Sequence, residues 1–160
     1  MAQISFSIVV VCLNPGEKLL KTVQSVLNQK YGNYEIVVKD GGSTDGSLEQ
    51  LPADSRIRVY TRPDSGIYDA MNQAMSYVTG QFVQFLNCGD LLHDDMVLER
   101  LAAVMERKRG RGADGEGLGH KEKERIFYGN QYHEAWGSVI YSAPAVSYTH
   151  LRAHETSQDL

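Results

Sequence analysis

The sequence predicts an α/β protein built on a mostly parallel sheet flanked by helices. Ile4–Cys12 is a continuous apolar, β-branched run, as expected of a strand buried on both faces. Further short apolar runs alternate with stretches whose apolar residues recur at helical spacing, which calls for parallel strands joined by right-handed crossovers. At 160 residues the chain has room for one domain with a real core.

The elements follow in order. After Ile4–Cys12, Asn14-Pro15-Gly16 breaks the run, and proline is accepted in the first turn of a helix. Leu19, Leu20, Val23, Val26 and Leu27 predict an amphipathic helix to about Gln29. Gly32-Asn33 is a turn, and Glu35–Lys39 is a second strand ending at Asp40. The loop 41–46 supplies N-cap residues for a helix over Ser47–Leu51. Ile57–Thr61 is a third strand. Ile67, Ala70, Met71, Ala74, Met75 and Val78 mark the next helix, with Gly80 as its stop. Gln81–Leu86 is a fourth strand and Met96–Arg107 a further amphipathic helix. Arg107–Arg125 mixes glycines with charges of both signs and reads as a mobile surface loop. Ile126–Tyr128 and Ser138–Tyr141 read as a final strand pair around a polar turn.

Composition narrows the function. The formal net charge is −4, so no basic excess points to nucleic acid. No apolar run approaches the roughly 20 residues that span a bilayer. Ile4–Leu13 is too short and lacks a following small-residue cleavage site, so no signal peptide is read. Cys12 and Cys88 lie far apart, and nothing asks for a bridge between them; a reduced, cytoplasmic setting is the simplest reading.

Val146–Thr156 reads V-S-Y-T-H-L-R-A-H-E-T and resembles the frame translation of a common transposase sequencing adapter. On that reading residues 146–160 form a non-native tail, set aside from fold reasoning. The natural gene is then expected to continue, and residues 1–145 to be an N-terminal fragment.

Pro63–Asp90 is the most informative stretch: a Gly turn, a carboxylate-bearing helix start, an apolar strand and a carboxylate just past it. Asp40, Asp64 and Asp90 each fall just beyond a predicted strand end. Open α/β sheets bind ligands outside the carboxyl ends of their strands. A carboxylate there can accept from a base edge or a ribose hydroxyl, or ligate a hard divalent cation; Mg²⁺ uses one or two carboxylates with substrate phosphates completing its shell. A lone Asp would be only a cap or turn residue. Gly41-Gly42 permits close backbone approach to a ligand, or simply turns the chain. Other chemistries lack their motifs. No G-x-G-x-x-G follows the first strand, no P-loop lysine motif occurs, and Asp40…Asp45-Gly46 lacks the acids of an EF-hand. No serine or cysteine sits in a nucleophile elbow, so both cysteines are read as packing residues.

Four blocks in order, S-I-V-V-V-C-L-N, V-V-K-D-G-G-S-T-D-G-S, P-D-S-G-I-Y-D-A-M-N and F-L-N-C-G-D, resemble the family 2 glycosyltransferases from about Ile4 to Ile140. The resemblance implies a GT-A fold, a Rossmann-like sheet whose first half binds a nucleotide-sugar. It implies that Val11, Leu13 and Asn14 lie against the nucleoside. It matches Asp40 to the carboxylate that pairs with the base, usually uracil, and Asp64 and Asp69 to acids lining the nucleotide crevice. Asp90 matches the last acid of a D-x-D-like motif that holds Mg²⁺ or Mn²⁺ on the diphosphate. Asn87 and Gly89 stand where many relatives carry acids. The competing structural reading has Asp69 and Asn72 capping or facing solvent on their helix, and Tyr68 packing.

The implied reaction is transfer with inversion from a nucleotide-diphospho-sugar, UDP foremost, to a saccharide or lipid-linked acceptor in cell-surface polysaccharide synthesis. It is expected in the cytoplasm, with peripheral association at the inner face of the membrane left open. The general base belongs to the family's second half; no residue here matches it, and Glu134 has no motif support. Two alternatives stand beside the enzyme. One is a nucleotide-sugar-binding module without catalysis. The other is a nucleotidyltransferase, which would carry a Gly-rich basic motif where this chain has Asn14-Pro15-Gly16-Glu17.

Overall fold

The computed structural model describes residues 3–110, 131–133 and 138–140. The chain divides into two compact units, residues 1–113 and 114–160. In the first, β1 (Phe6–Cys12), α1 (Glu17–Leu27), β2 (Tyr34–Asp40), β3 (Ile57–Thr61), α2 (Ile67–Ala74), β4 (Phe82–Phe85) and α3 (Val97–Gly110) follow one another, with a single 3₁₀ turn at Leu48–Gln50. The sheet order is β3-β2-β1-β4, and all neighbours are parallel. In the second unit, β5 (Gln131–His133) pairs antiparallel with β6 (Ser138–Ile140).

The centre of the sheet is where the sequence places it. Every residue of β1 is buried, and β2 is buried but for Glu35, while the edge strands β3 and β4 are largely half-open. Register runs from Phe6↔Tyr34 to Cys12↔Asp40 on one side of β1 and from Phe6↔Phe82 to Val9↔Phe85 on the other. The chain moves outward from β1 through β2 to β3, then returns to place β4 on the opposite flank. The order therefore reverses between β1 and β4, and the carboxyl ends beside such a reversal are where sheets of this kind bind ligands.

α1 buries Leu19, Val23 and Val26 of the predicted stripe together with Thr22, while Leu20 and Leu27 are half-buried. Its start is set by Gly16 at φ 57°, a left-handed conformation suited to glycine. α2 is shorter than its stripe predicts, ending at Ala74. The chain continues through turns in which Ser76 N–H bonds Gln73 O and Tyr77 N–H bonds Ala74 O. Tyr77 and Val78 still pack against the core of Val9, Val11, Val37, Ala70 and Ala74, so their apolar character reflects burial rather than helix. Gly80 is correspondingly not a helix stop. A Cβ there would lie 2.6 Å from Phe6 C and Ser7 N, so only glycine lets this segment pass so close to β1.

Two further boundaries differ from expectation. The helix predicted at Ser47–Leu51 is one 3₁₀ turn, because Asp45 and Ser47 hydrogen-bond locally instead of starting a longer helix. α3 continues to Gly110, so the first residues assigned to the charged loop are helical; residues 111–125 lie outside those described. Ile126–Tyr128, predicted as a strand, and the adapter-like segment also lie outside the described residues.

Candidate functional site

The carboxyl edge is built by loops that hydrogen-bond to one another. Beyond the strands, Gly41 N–H bonds Cys12 O at 2.9 Å, Arg62 N–H bonds Asp40 O at 2.9 Å and Leu86 N–H bonds Val9 O at 2.9 Å, which carries the ladder outward. The loop after β1 is clasped to the loop after β2. Asn14 N–H donates to Ser43 Oγ (2.7 Å), Thr44 N–H to Asn14 Oδ1 (2.8 Å) and Gly16 N–H to Asp45 Oδ2 (2.7 Å). Asn14 takes φ 47°, a left-handed conformation that Asn tolerates better than most side chains.

Asp40 ends β2 and is fully buried. Its carboxylate accepts from Gly42 N–H (3.0 Å), Ser43 N–H (3.0 and 3.1 Å) and Ser43 Oγ–H (2.5 Å). Burial raises its pKa, but these hydrogen bonds outweigh burial and hold it below the usual carboxylate range. In this arrangement Asp40 shapes the 41–44 loop and shows no open face to a base. Beside it, burial and then the Asp40 charge push the Cys12 thiol up to about 12. A thiol so placed stays protonated, which agrees with its reading as a packing residue.

Asp64 follows β3 and is held from below. Lys39 Nζ donates to Asp64 Oδ2 at 2.8 Å, and Gly66 N–H donates to Asp64 Oδ1 at 3.2 Å. A Cβ on Gly41 would lie 3.0 Å from Asp64 Oδ2 and 3.4 Å from Leu13 Cδ1. Gly41, Asp64 and the exposed Leu13 thus converge on one spot, while Val11 is buried in the core with Val9, Val37, Ala70 and Ala74. Lys39 is the residue that motif reasoning passed over. Its signal was an ionisable side chain closing the apolar run Ile36-Val37-Val38.

Asp69 is turned back on its own helix start, accepting from Ser65 N–H (2.8 Å), Ser65 Oγ–H (3.1 Å) and Gln73 Nε2–H (3.1 Å). The Ser65 hydrogen bonds lower its pKa. Such a reach-back satisfies an orphan N–H at the helix entrance. Tyr68 beside it does not pack: it is among the most exposed large side chains, as is Ile67.

Asp90 sits in the turn after β4, exposed, with its N–H bonded to Asn87 O at 2.9 Å. α1 anchors this turn: Gly89 N–H donates to Thr22 Oγ1 (2.8 Å) and Leu92 N–H to Ser25 Oγ (3.2 Å). Gly89 at φ 106° lets the turn lie over Lys18. Among the described residues no three metal-ligating side chains cluster. Asp90 therefore fits a cation only as one carboxylate of a shell completed by a ligand's phosphates, the manner in which Mg²⁺ is commonly held.

The open parallel sheet carries Asp40, Asp64 and Asp90 at or just past the carboxyl ends of β2, β3 and β4, the edge at which α/β sheets of this class bind ligands. The family profile described as Glycosyl transferase family 2 matches residues 7–154, and the chain belongs to that family. The matched span ends inside the adapter-like segment. A PGL/p-HBAD biosynthesis glycosyltransferase of Mycobacterium bovis is 35% identical over 110 residues, covering 66% of this chain and 43% of that protein. Glycosyltransferase GlyG of Streptococcus pneumoniae is 31% identical over 127 residues, covering 76% and 42%. The chain thus spans less than half the length of these relatives. Among solved structures, S. aureus TarS 1-349 in complex with UDP-GlcNAc superposes with TM-score 0.59 at 20% identity, over 76% of this chain and 39% of that one. The mannosyltransferase PcManGT of Pyrobaculum calidifontis, in complex with GDP-Man and Mn²⁺, superposes with TM-score 0.57 at 21% identity, over 65% and 32%. The fold is the α/β, GT-A-like sheet that the sequence motifs imply.

Proposed function

We propose that this chain is the donor-binding half of an inverting glycosyltransferase. It takes a nucleotide-diphospho-sugar, a UDP-sugar foremost, for transfer to a saccharide or lipid-linked acceptor in cell-surface polysaccharide synthesis. The observation that carries the reading is the convergence of Leu13, Gly41 and Asp64 beside the β1–β4 switch point, with Asp90 on its far side, in a chain of this family. The nucleoside would lie against Val11, Leu13 and the Asn14 loop. Asp64 would accept from the base, Asp40 would hold the loop beneath it and Asp69 would fix the entrance of α2. Asp90 would hold Mg²⁺ or Mn²⁺ on the diphosphate. The bound cation would supply Lewis-acid stabilisation of charge on the leaving diphosphate. This chain's own part is to orient the donor with its anomeric carbon open to an in-line acceptor hydroxyl.

The test is isothermal titration of UDP into the chain, with and without Mn²⁺, beside Asp90→Ala. Metal-dependent heat that the variant loses is the expected result. No heat from UDP, GDP or dTDP in folded protein would overturn the reading. Among the described residues no helix is long and apolar enough to cross a membrane. Association of this half with a membrane surface would be tested by vesicle sedimentation.

A further inference from the structure

We infer that Lys39 is a positioning residue that fixes the Asp64 carboxylate as the acceptor for a ring N–H of a lactam base, uracil or guanine. The inference rests on the donor-nucleotide reading above and adds to it a residue and a recognition chemistry. Lys39 is fully buried at the carboxyl end of β2. Its ammonium has three protons. Three acceptors meet it: Asp40 O at 3.0 Å, Arg62 O at 2.6 Å and Asp64 Oδ2 at 2.8 Å. No proton is left for a ligand, so Lys39 acts through its partners rather than by touching substrate.

What it holds is the informative part. The two carbonyls belong to the last residue of β2 and the first after β3, so the ammonium ties both strand ends together at the carboxyl edge. The third partner, Asp64, keeps an opening: its side chain is 11% exposed against 0% for Lys39. A carboxylate has about four lone-pair sites. Lys39 takes one on Oδ2 and the Gly66 N–H one on Oδ1, so acceptor capacity remains on the open side. That side is bordered by Gly41, which leaves room, and by Leu13, which is 60% exposed and presents an apolar wall. An acceptor at the margin of an apolar surface suits a planar ring carrying one N–H. Asp40, the other carboxylate of this edge, is closed off by its own loop.

The test is calorimetric titration of the full chain with four ligands: UDP, its N3-methyl analogue, GDP and its N1-methyl analogue, each with Mn²⁺ present. Methylation removes the ring N–H and leaves the diphosphate intact. The wild type is expected to favour one parent nucleotide over its methylated form by about tenfold or more, the scale of a hydrogen bond to a charged group. Which parent wins names the base. In Lys39→Met and Asp64→Ala the ratio is expected to fall to within about threefold. A residue needed only for folding would weaken both members of a pair alike and leave the ratio standing. Lys39→Met with wild-type discrimination overturns the inference, as does a wild type that binds a parent and its methylated form equally; the nucleotide reading survives both. A wild type that binds neither parent removes the nucleotide reading and this inference together. Should Lys39→Met fail to fold, Lys39→Arg keeps a buried cation with a longer, planar head. It is expected to lower the ratio at least threefold, and an unchanged ratio overturns the inference.

Discussion

Lys39 Nζ lies 2.8 Å from Asp64 Oδ2, with the lysine side chain wholly enclosed and the aspartate nearly so. Taking two charges out of water costs more than their attraction returns unless further hydrogen bonds satisfy them. Here the ammonium finds two carbonyls as well and the carboxylate finds the Gly66 N–H. Breaking such a pair from one side leaves a buried charge without its partner. Lys39→Ala is therefore expected to cost about 3–5 kcal/mol. The double variant Lys39→Met, Asp64→Leu should lose much less, since neither charge is then stranded. Urea unfolding of the wild type and both variants checks this, and equal losses in both would count against the pair as the cause.

Stability should fall in acid through a defined set of carboxylates. In Asp40 and Glu35 burial raises the pKa, but hydrogen bonds outweigh it and the net shift is downward. In Asp54 the Arg56 guanidinium is the chief cause, and the group sits at about 2. A folded pKa below the unfolded one contributes stability above the unfolded value, about 4 for these groups, that is lost as pH falls through the folded value. The unfolding free energy should thus be steady from about pH 5 to 7 and drop below about pH 4. Asp40→Asn should flatten that drop. Denaturant midpoints measured from pH 7 to pH 2 decide it, and an unchanged acid slope in the variant would exclude Asp40 as a contributor.

Gly80→Ala should be more damaging than its size implies. The added methyl would meet Phe6 C and Ser7 N at 2.6 Å and Ser7 Oγ at 2.8 Å, and two of those atoms are backbone of the central strand. Those two cannot rotate away. Gly80 N–H also donates to Ser7 Oγ (2.8 Å), which in turn donates to Glu35 Oε1 (2.6 Å), and Arg58 pairs with the same carboxylate. Overpacking of this kind costs about 1–3 kcal/mol. A melting curve indistinguishable from wild type would show that the segment can move off β1.

Much of this was legible in the chain. The buried run Ile4–Cys12 and the helical stripe through Leu19, Val23 and Val26 each encode one element by periodicity alone, and both appear where expected. α2 is different, because Val78 extends the apolar pattern by packing on the core from beyond the helix end, and periodicity cannot separate such a segment from another turn of helix. Within the candidate site, spacing put Asp40, Asp64 and Asp90 beyond strand ends. It could not show that Asp40 is closed in by Ser43 or that Asp69 bends back to Ser65. Those are decisions of loop conformation, which depends on contacts distant in sequence, such as Asn14 with Ser43 and Thr44.

Gly41→Ala separates folding from recognition at this edge. Gly41 is not among the residues at positive φ, and its N–H bond to Cys12 O survives a methyl group. Replacing glycine where the backbone is compatible also restricts the unfolded chain and can offset strain by about 0.4–1 kcal/mol. The stability change should therefore stay below about 1 kcal/mol. The new Cβ would nevertheless press on Asp64 Oδ2 at 3.0 Å and on Leu13 Cδ1 at 3.4 Å, the two side chains proposed to meet the base. Asp64 must shift by tenths of an ångström while Lys39 holds it from the other side. Nucleotide affinity should fall severalfold, read by the same titration that tests Asp90, alongside a denaturation curve. Loss of affinity with stability retained places the base beside Gly41; full affinity in the alanine variant places it elsewhere on the edge.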